Sequence, residues 1–349
     1  KITLSQFQNK KGVEELLGFS KSDKILNTYL LSLPELWSQL DKSKALLRFR
    51  LIPLGARTTR RASAKPNSQN WPPAVRGMVV SRFKGGKIIS FDYSKLEPLL
   101  MAWEAGDEKM FEFFFKGQGY IDIAKELWGK EVKEGSTEYR TAKSISLGVN
   151  YDLKSPNMAK KLYLELGIRF AKRWDDHVER TDQLRRKYLD MFSGLKRYIQ
   201  DREAELLEFQ GVYIATGAFR HLPCLQGRDT EGFWHLRKEA INAPIQGLAA
   251  AVTGSAMIDC EEALLKEHHL SYVDYQTALL NSPKEELHMP LLINEVHDEL
   301  VFDVPGDQVE RAKDIIEVGM GGVTTFRRLV PDLKFEFKVK TTVSNQWEK

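Results

Sequence analysis

The chain has 349 residues, 42% hydrophobic and 29% charged, with a formal net charge of +4 and a pI near 8.8. That is ordinary for a soluble globular protein with a large core or two to three subdomains, and compatible with nucleic acid without pointing to it. Two cysteines, Cys224 and Cys260, exclude a disulfide framework and fit a reducing compartment, and no stretch approaches the ~18 apolar residues of a membrane helix.

The sequence opens at Lys1 with neither a methionine nor an apolar signal region, which suggests a fragment of a longer protein. Ile25, Tyr29, Leu30 and Leu33 recur at helical spacing before Pro34, so residues 1 to about 50 read as helical. Residues 57–70, RTTRRASAKPNSQN, hold Arg57, Arg60, Arg61 and Lys65 with no acid among them. Such a loop suits phosphate oxygens and minor-groove acceptors, or is simply a solvated basic loop. In KIISFDYSKLEPLLM (87–101), Ile88, Ile89 and Phe91 make a short strand ending at Asp92. A helix through Leu99 and Leu100 follows, which Ser94 or Asp92 would cap.

From Gly106 to about Lys238 the pattern is mostly helical, with amphipathic segments such as 184–199. Lys143, Leu147 and Tyr151 step by four along one face of a helix expected to begin near Tyr139. Asn242 and Gln246 also lie one turn apart, before an apolar helix over 250–265. His268 to Pro290 reads as a loop-rich insertion. LLINEVHDELVFDVP (291–305) then gives two short strands joined tightly, a hairpin with His297, Asp298 and Glu299 at its tip. A helix over 309–318 and a strand over 333–342 complete the chain.

Two carboxylate clusters thus sit at strand ends distant in sequence, which is what a pair of divalent metals needs. A solvated acidic turn is the plainer alternative for the hairpin tip.

The residues between and around these acids resemble those of family A DNA polymerases. DYSKLE at 92–97 is similar to the family's first catalytic motif, usually DYSQIE, and VHDE at 296–299 to its third. Arg140 to Asp152, RTAKSISLGVNYD, resembles the second, RxxxKxxx[FY]GxxYG. Further likenesses are 58–70 to TGRxSSxxPNLQN, 211–223 to a segment ending RRRxLP with Arg220 retained, and 238–247 to RxxxNxPxQG with Lys238 for arginine. The resemblance runs from about Lys24 to the C-terminus.

The resemblance implies an α+β right-hand polymerase fold: an antiparallel palm sheet, helical fingers and a partial thumb. The implied division is partial thumb 1–56, palm 57–108 and 238–349, and fingers 109–237. The implied function is template-directed DNA synthesis from dNTPs on primer–template DNA, with no proofreading in this chain. Asp92 and Asp298 would hold two Mg²⁺ ions, or Mn²⁺, with Glu299 supporting the metal site and His297 positioning the primer end. Lys143 would offset triphosphate charge, and Glu97 beside Tyr151 would exclude ribose. Arg60, Gln69, Asn70, Asn242 and Gln246 would face the DNA. A close approach of base or sugar would explain Gly148, which is unfavourable mid-helix by about 1 kcal/mol relative to alanine.

Four further positions depart from the family's pattern. Its arginine four residues before the lysine is Tyr139 here, with Arg140 three before. Leu147 replaces Phe or Tyr, Asp152 replaces the final glycine, and Tyr120 stands where many relatives carry a triphosphate-facing histidine. The resemblance further implies a monomer inside the cell (cytoplasm, nucleoid, phage-infected cell or organelle), without a membrane, and with upstream domains of the same polypeptide. The rival readings are an RNA polymerase or reverse transcriptase on the same palm, a metal-dependent nuclease, and a non-catalytic DNA-binding relative.

Overall fold

The computed structural model describes residues 22–23, 26–27, 46–56, 58–223, 231–281 and 287–348. In chain order its elements are β1 (Arg50–Ile52), β2 (Ala62–Ala64), α1 (Pro73–Arg76), β3 (Lys87–Tyr93), α2 (Leu96–Glu104), α3 (Glu108–Phe115), α4 (Tyr120–Trp128), α5 (Thr137–Asn150), α6 (Ser155–Leu166), α7 (Trp174–Met191), α8 (Ser193–Phe209), β4 (Gly211–Tyr213), β5 (Phe219–His221), α9 (Glu231–Glu267), α10 (Tyr272–Asn281), β6 (Leu291–Val296), β7 (Glu299–Val304), α11 (Val309–Gly322), α12 (Thr324–Leu329) and β8 (Val339–Ser344). Most of the segment expected to be helical at 1 to about 50, together with Arg57 and Cys224, lies outside the described residues. The chain divides into two compact units, Lys1–Ser94 with Ala250–Lys349, and Lys95–Ala249.

In the first unit, β6, β7, β3 and β8 form a four-stranded antiparallel sheet in that order. β3 lies inside it, so its run from Ile88 to Phe91 is buried on both faces rather than alternating. Phe91 meets Phe302 edge to face at 5.7 Å, and Tyr93 meets Phe337 at 5.6 Å. The expected hairpin is present, with the ladder closing at Val296 opposite Glu299. Only His297 and Asp298 form its tip; Glu299 already belongs to β7.

Four sequence expectations are corrected. Neither Asp92 nor Ser94 caps α2, because the chain stays extended to Tyr93 and the Ser94 N–H donates to Lys338 O at 2.8 Å. The helix starts after Lys95, which turns the chain at φ 62°. The final strand begins at Val339 rather than 333: the Phe337 N–H donates to Gly321 O at the end of α11, not to a neighbouring strand. Within 268–290, Tyr272–Asn281 is helix α10, not loop. Residues 184–199 fall in two helices that part at Phe192.

The second unit is helical apart from the β4–β5 hairpin, as its amphipathic pattern requires. Asp107 organises one corner of it. Its carboxylate accepts from Met110 N at 2.9 Å, capping α3, and from Gly194 N and Leu195 N at the start of α8. Helix α9 is 37 residues long and runs through Pro244. Cys260 is buried, and burial pushes its thiol up to about 12, as suits a structural cysteine. Among the described residues no helix is long and apolar enough to cross a membrane.

Candidate active site

The sheet brings the first and third motifs to one end. Asp92 stands opposite Glu299 of β7 on one side and Lys340 of β8 on the other. Directly opposed residues share a face of the sheet. The hairpin tip is stitched to the same place: the Tyr93 N–H donates to Asp298 O at 3.2 Å. Asp92 and Asp298 are half-buried, whereas Glu299 is buried. His297 is exposed at φ 59°, a position a two-residue hairpin turn usually gives to glycine.

These residues suit a divalent metal of the hard, oxygen-loving kind. Carboxylates are its preferred ligands, and Mg²⁺ takes one or two of them while waters and substrate phosphates fill the rest. Among the described residues no cluster of three or more His, Cys, Asp and Glu that could hold a metal ion is present.

The basic loop leans on this sheet. Its Arg61 is not available to phosphate: the guanidinium forks onto the Glu295 carboxylate of β6 and also reaches Ala250 O at 3.4 Å. Arg60 is half-buried and Lys65 exposed. Ser63 and Gln69 lock the turn reciprocally, Ser63 N donating to Gln69 Oε1 and Gln69 N to Ser63 Oγ, each at 3.0 Å. Ser68 Oγ donates to Asn294 Oδ1 at 3.2 Å, and Asn70 is exposed. A register shift between Leu292 and Asn294 accompanies the burial of the consecutive polar residues Asn294 and Glu295. The signal in the sequence is that polar pair between two apolar runs.

In the second unit, α5 carries the middle motif. Ser136 Oγ accepts from Tyr139 N at 3.2 Å, so the helix starts at Thr137, two residues before the expected Tyr139. Its inner face is fixed by a buried chain in which Ser146 Oγ meets Tyr188 OH at 2.9 Å and Tyr188 OH donates to Asn150 at 3.3 Å. Lys143 is exposed, its Nζ 5.7 Å from the centre of the Tyr120 ring. Tyr120 itself is buried, edge-on to Phe114 and Tyr139, and burial pushes its phenol far up, leaving it neutral. Arg140, three residues before Lys143 on the same helix, is exposed as well.

Tyr151 OH donates to the Glu97 carboxylate, joining the pair that the resemblance implied. Both line one small cavity with Pro98, Met101, Leu147, Asn150, Asn242 and Ile245. Asn242 is on α9, its amide donating to Lys238 O at 2.7 Å; Gln246, one turn on, is half-buried. Gly148 is closely approached from within the protein. A Cβ there would lie 2.6 Å from the Met158 methyl, so the missing side chain makes room for α6 within the protein. Arg220 meets Glu239 at 3.5 Å. A residue the sequence reading did not single out, Arg237, is buried against Asp152 and Glu203.

A family model for DNA polymerase family A matches residues 1–349. The chain is 28% identical over 339 residues to DNA polymerase I of Chloroflexus aurantiacus, covering 93% of this chain and 31% of that protein. It is 26% identical over 317 residues to DNA polymerase I of Streptococcus pneumoniae, covering 88% and 32%. It thus spans about a third of the length of these curated relatives. A solved structure described as the POL domain of Pol1 from M. smegmatis, in complex with DNA primer-template and dNTP, superposes with a TM-score of 0.76 at 22% identity, covering 99% of this chain and 55% of that one. That likeness supports the α+β fold.

Proposed function

The chain belongs to DNA polymerase family A, and from that premise we propose that it carries out template-directed DNA synthesis on a primer–template duplex. The primer 3′ oxygen attacks the α-phosphorus of a dNTP, the bond to the bridging oxygen breaks, and pyrophosphate leaves. The observation that carries this reading is the meeting of Asp92 and the His297–Asp298 tip at one end of the four-stranded sheet.

Asp92 and Asp298 would hold two Mg²⁺ or Mn²⁺ ions, with Glu299 buried behind them. Bound divalent ions supply a lowered pKa for the attacking hydroxyl and neutralise the leaving charge. Lys143, presented over the Tyr120 ring, would meet the triphosphate, and exposed Arg140, about 60° round the helix from it, could share that work. Neutral Tyr120 offers a hydroxyl but no charge where many relatives have a histidine. Glu97, held by Tyr151, would fill the space beside the sugar C2′ and exclude ribose. Leu147 would face the same sugar from the cavity wall. Arg60, Gln69, Asn70, Asn242 and Gln246 would read the minor groove, and His297 would steady the primer end. The palm, fingers and partial-thumb boundaries given above, a monomeric state, an intracellular setting and upstream domains belong to the same proposal. So does the absence of proofreading: a mispaired primer without nucleotides should stay intact.

The test is primer extension with Mg²⁺ and all four dNTPs. Wild type should extend, while Asp92→Asn and Asp298→Asn should each abolish extension yet bind duplex. Near wild-type extension by either variant overturns the assignment.

A further inference from the structure

Asp152 stands where the family's motif ends in glycine, and its surroundings explain what a side chain gains there. Helix α5 closes with a Schellman pattern: Leu153 N donates to Gly148 O at 2.7 Å and Asp152 N to Val149 O at 2.8 Å. The residue after the cap in that pattern is left-handed, and Asp152 is, at φ 48°. Glycine adopts this conformation without a Cβ penalty, and aspartate tolerates it less well. The carboxylate nonetheless points inward, 1% exposed, and meets the Arg237 guanidinium, with Lys154 at 3.7 Å and Arg185 at 3.9 Å. Arg237 is itself 9% exposed and also donates to Glu203 of α8 at 2.6 Å.

We propose that the Asp152–Arg237 pair is a positioning device for the nucleotide sugar site, tying the end of α5 to α9. Asp152 is bonded directly to Tyr151, which holds Glu97. Arg237 lies five residues before Asn242, about 7.5 Å along α9. Leu147, Asn150 and Tyr151 on one side, and Asn242 and Ile245 on the other, line the same cavity. The pair therefore clamps two walls of that cavity at its edge. Asp152 touches no substrate in this account; it acts by fixing where Tyr151, and through it Glu97, can stand. Glycine would close the helix equally well but would leave that edge unclamped. The inference rests on the proposed polymerase function.

The experiment compares the ratio of deoxy- to ribonucleotide incorporation efficiency in wild type, Asp152→Gly, Asp152→Asn and Arg237→Met. Asp152→Gly and Arg237→Met should lower the ratio at least about fivefold, chiefly through ribonucleotide KM, with Asp152→Asn intermediate. In a Glu97→Ala background Asp152→Gly should have no further effect, because it acts through Glu97. An unchanged ratio, or an undiminished effect in that background, overturns the inference while leaving the polymerase reading intact. A wild type that does not extend primer overturns that reading instead. The clamp then still answers to hydrogen exchange: the amides of residues 150–153 should exchange at least about tenfold faster in Asp152→Gly, and unchanged exchange overturns it.

Discussion

Replacing Arg61 by methionine tests how the basic loop is held. Its side chain is 19% exposed and that of Glu295 is 5%. Removing the guanidinium strands a carboxylate on β6 between buried Asn294 and buried Val296. Breaking a buried pair from one side costs about 3–5 kcal/mol, because the remaining charge has been taken out of water. Arg61 is partly exposed, so water can reach the fork, and the lower end applies: about 3 kcal/mol. Replacing both partners with apolar residues of similar size, Arg61→Met with Glu295→Leu, should return stability to within about 1 kcal/mol of wild type. Urea unfolding followed by tryptophan fluorescence measures this, since Trp71 and Trp347 pack with Ile88 and Val296 around the same sheet. A single substitution costing under about 1 kcal/mol refutes the reasoning, as does a double variant no more stable than the single.

Three further outcomes follow from the sites. Glu97→Ala should raise relative ribonucleotide use about tenfold or more, measured as the ratio of incorporation efficiencies, since the carboxylate held by Tyr151 is removed; an unchanged ratio places the sugar gate elsewhere. Leu147→Tyr should lower the preference for deoxy- over dideoxynucleotides about two- to tenfold, the worth of one hydrogen bond from a hydroxyl that leucine lacks. If the preference holds, Leu147 does not face the sugar. Duplex affinity should fall steeply with salt despite the net charge of +4, a flat log–log plot refuting it, and Arg60→Ala should slow primer extension by loosening the primer end in the minor groove; an unchanged rate removes Arg60 from the minor-groove set.

The parts of this fold that the sequence disclosed are those whose pattern is local. The hairpin was readable because two apolar runs flank a short polar centre, although its tip is two residues rather than three. Asp92 was readable because an apolar run ends on an acid. The misread parts depend on partners far away in sequence. Residues 333–338 alternate apolar and polar as a strand does, but the Phe337 N–H is taken by Gly321 at a helix end. Ser94 and Asp92 look like helix caps, yet the ladder to β7 and β8 holds the chain extended through Tyr93, and the helix starts only after Lys95. Arg61 looked like its neighbours in a basic loop, and only Glu295, 234 positions on, removes it from the surface.

The departures at the end of α5 show why position-by-position likeness is too coarse a guide to this site. Gly148 matches the family, and its room is used by Met158. Asp152 does not match, and Arg237 answers it from a helix 85 positions away. Both are better understood by which neighbours they admit. A glycine at 148 leaves room for the Met158 methyl of α6, and an aspartate at 152 meets a guanidinium from α9. A transplant of the family's glycine into position 152 therefore restores the motif's letters while leaving Arg237 buried with only Glu203 to balance it. The ribonucleotide ratio of that variant reports on the neighbourhood of the motif, not on the motif alone.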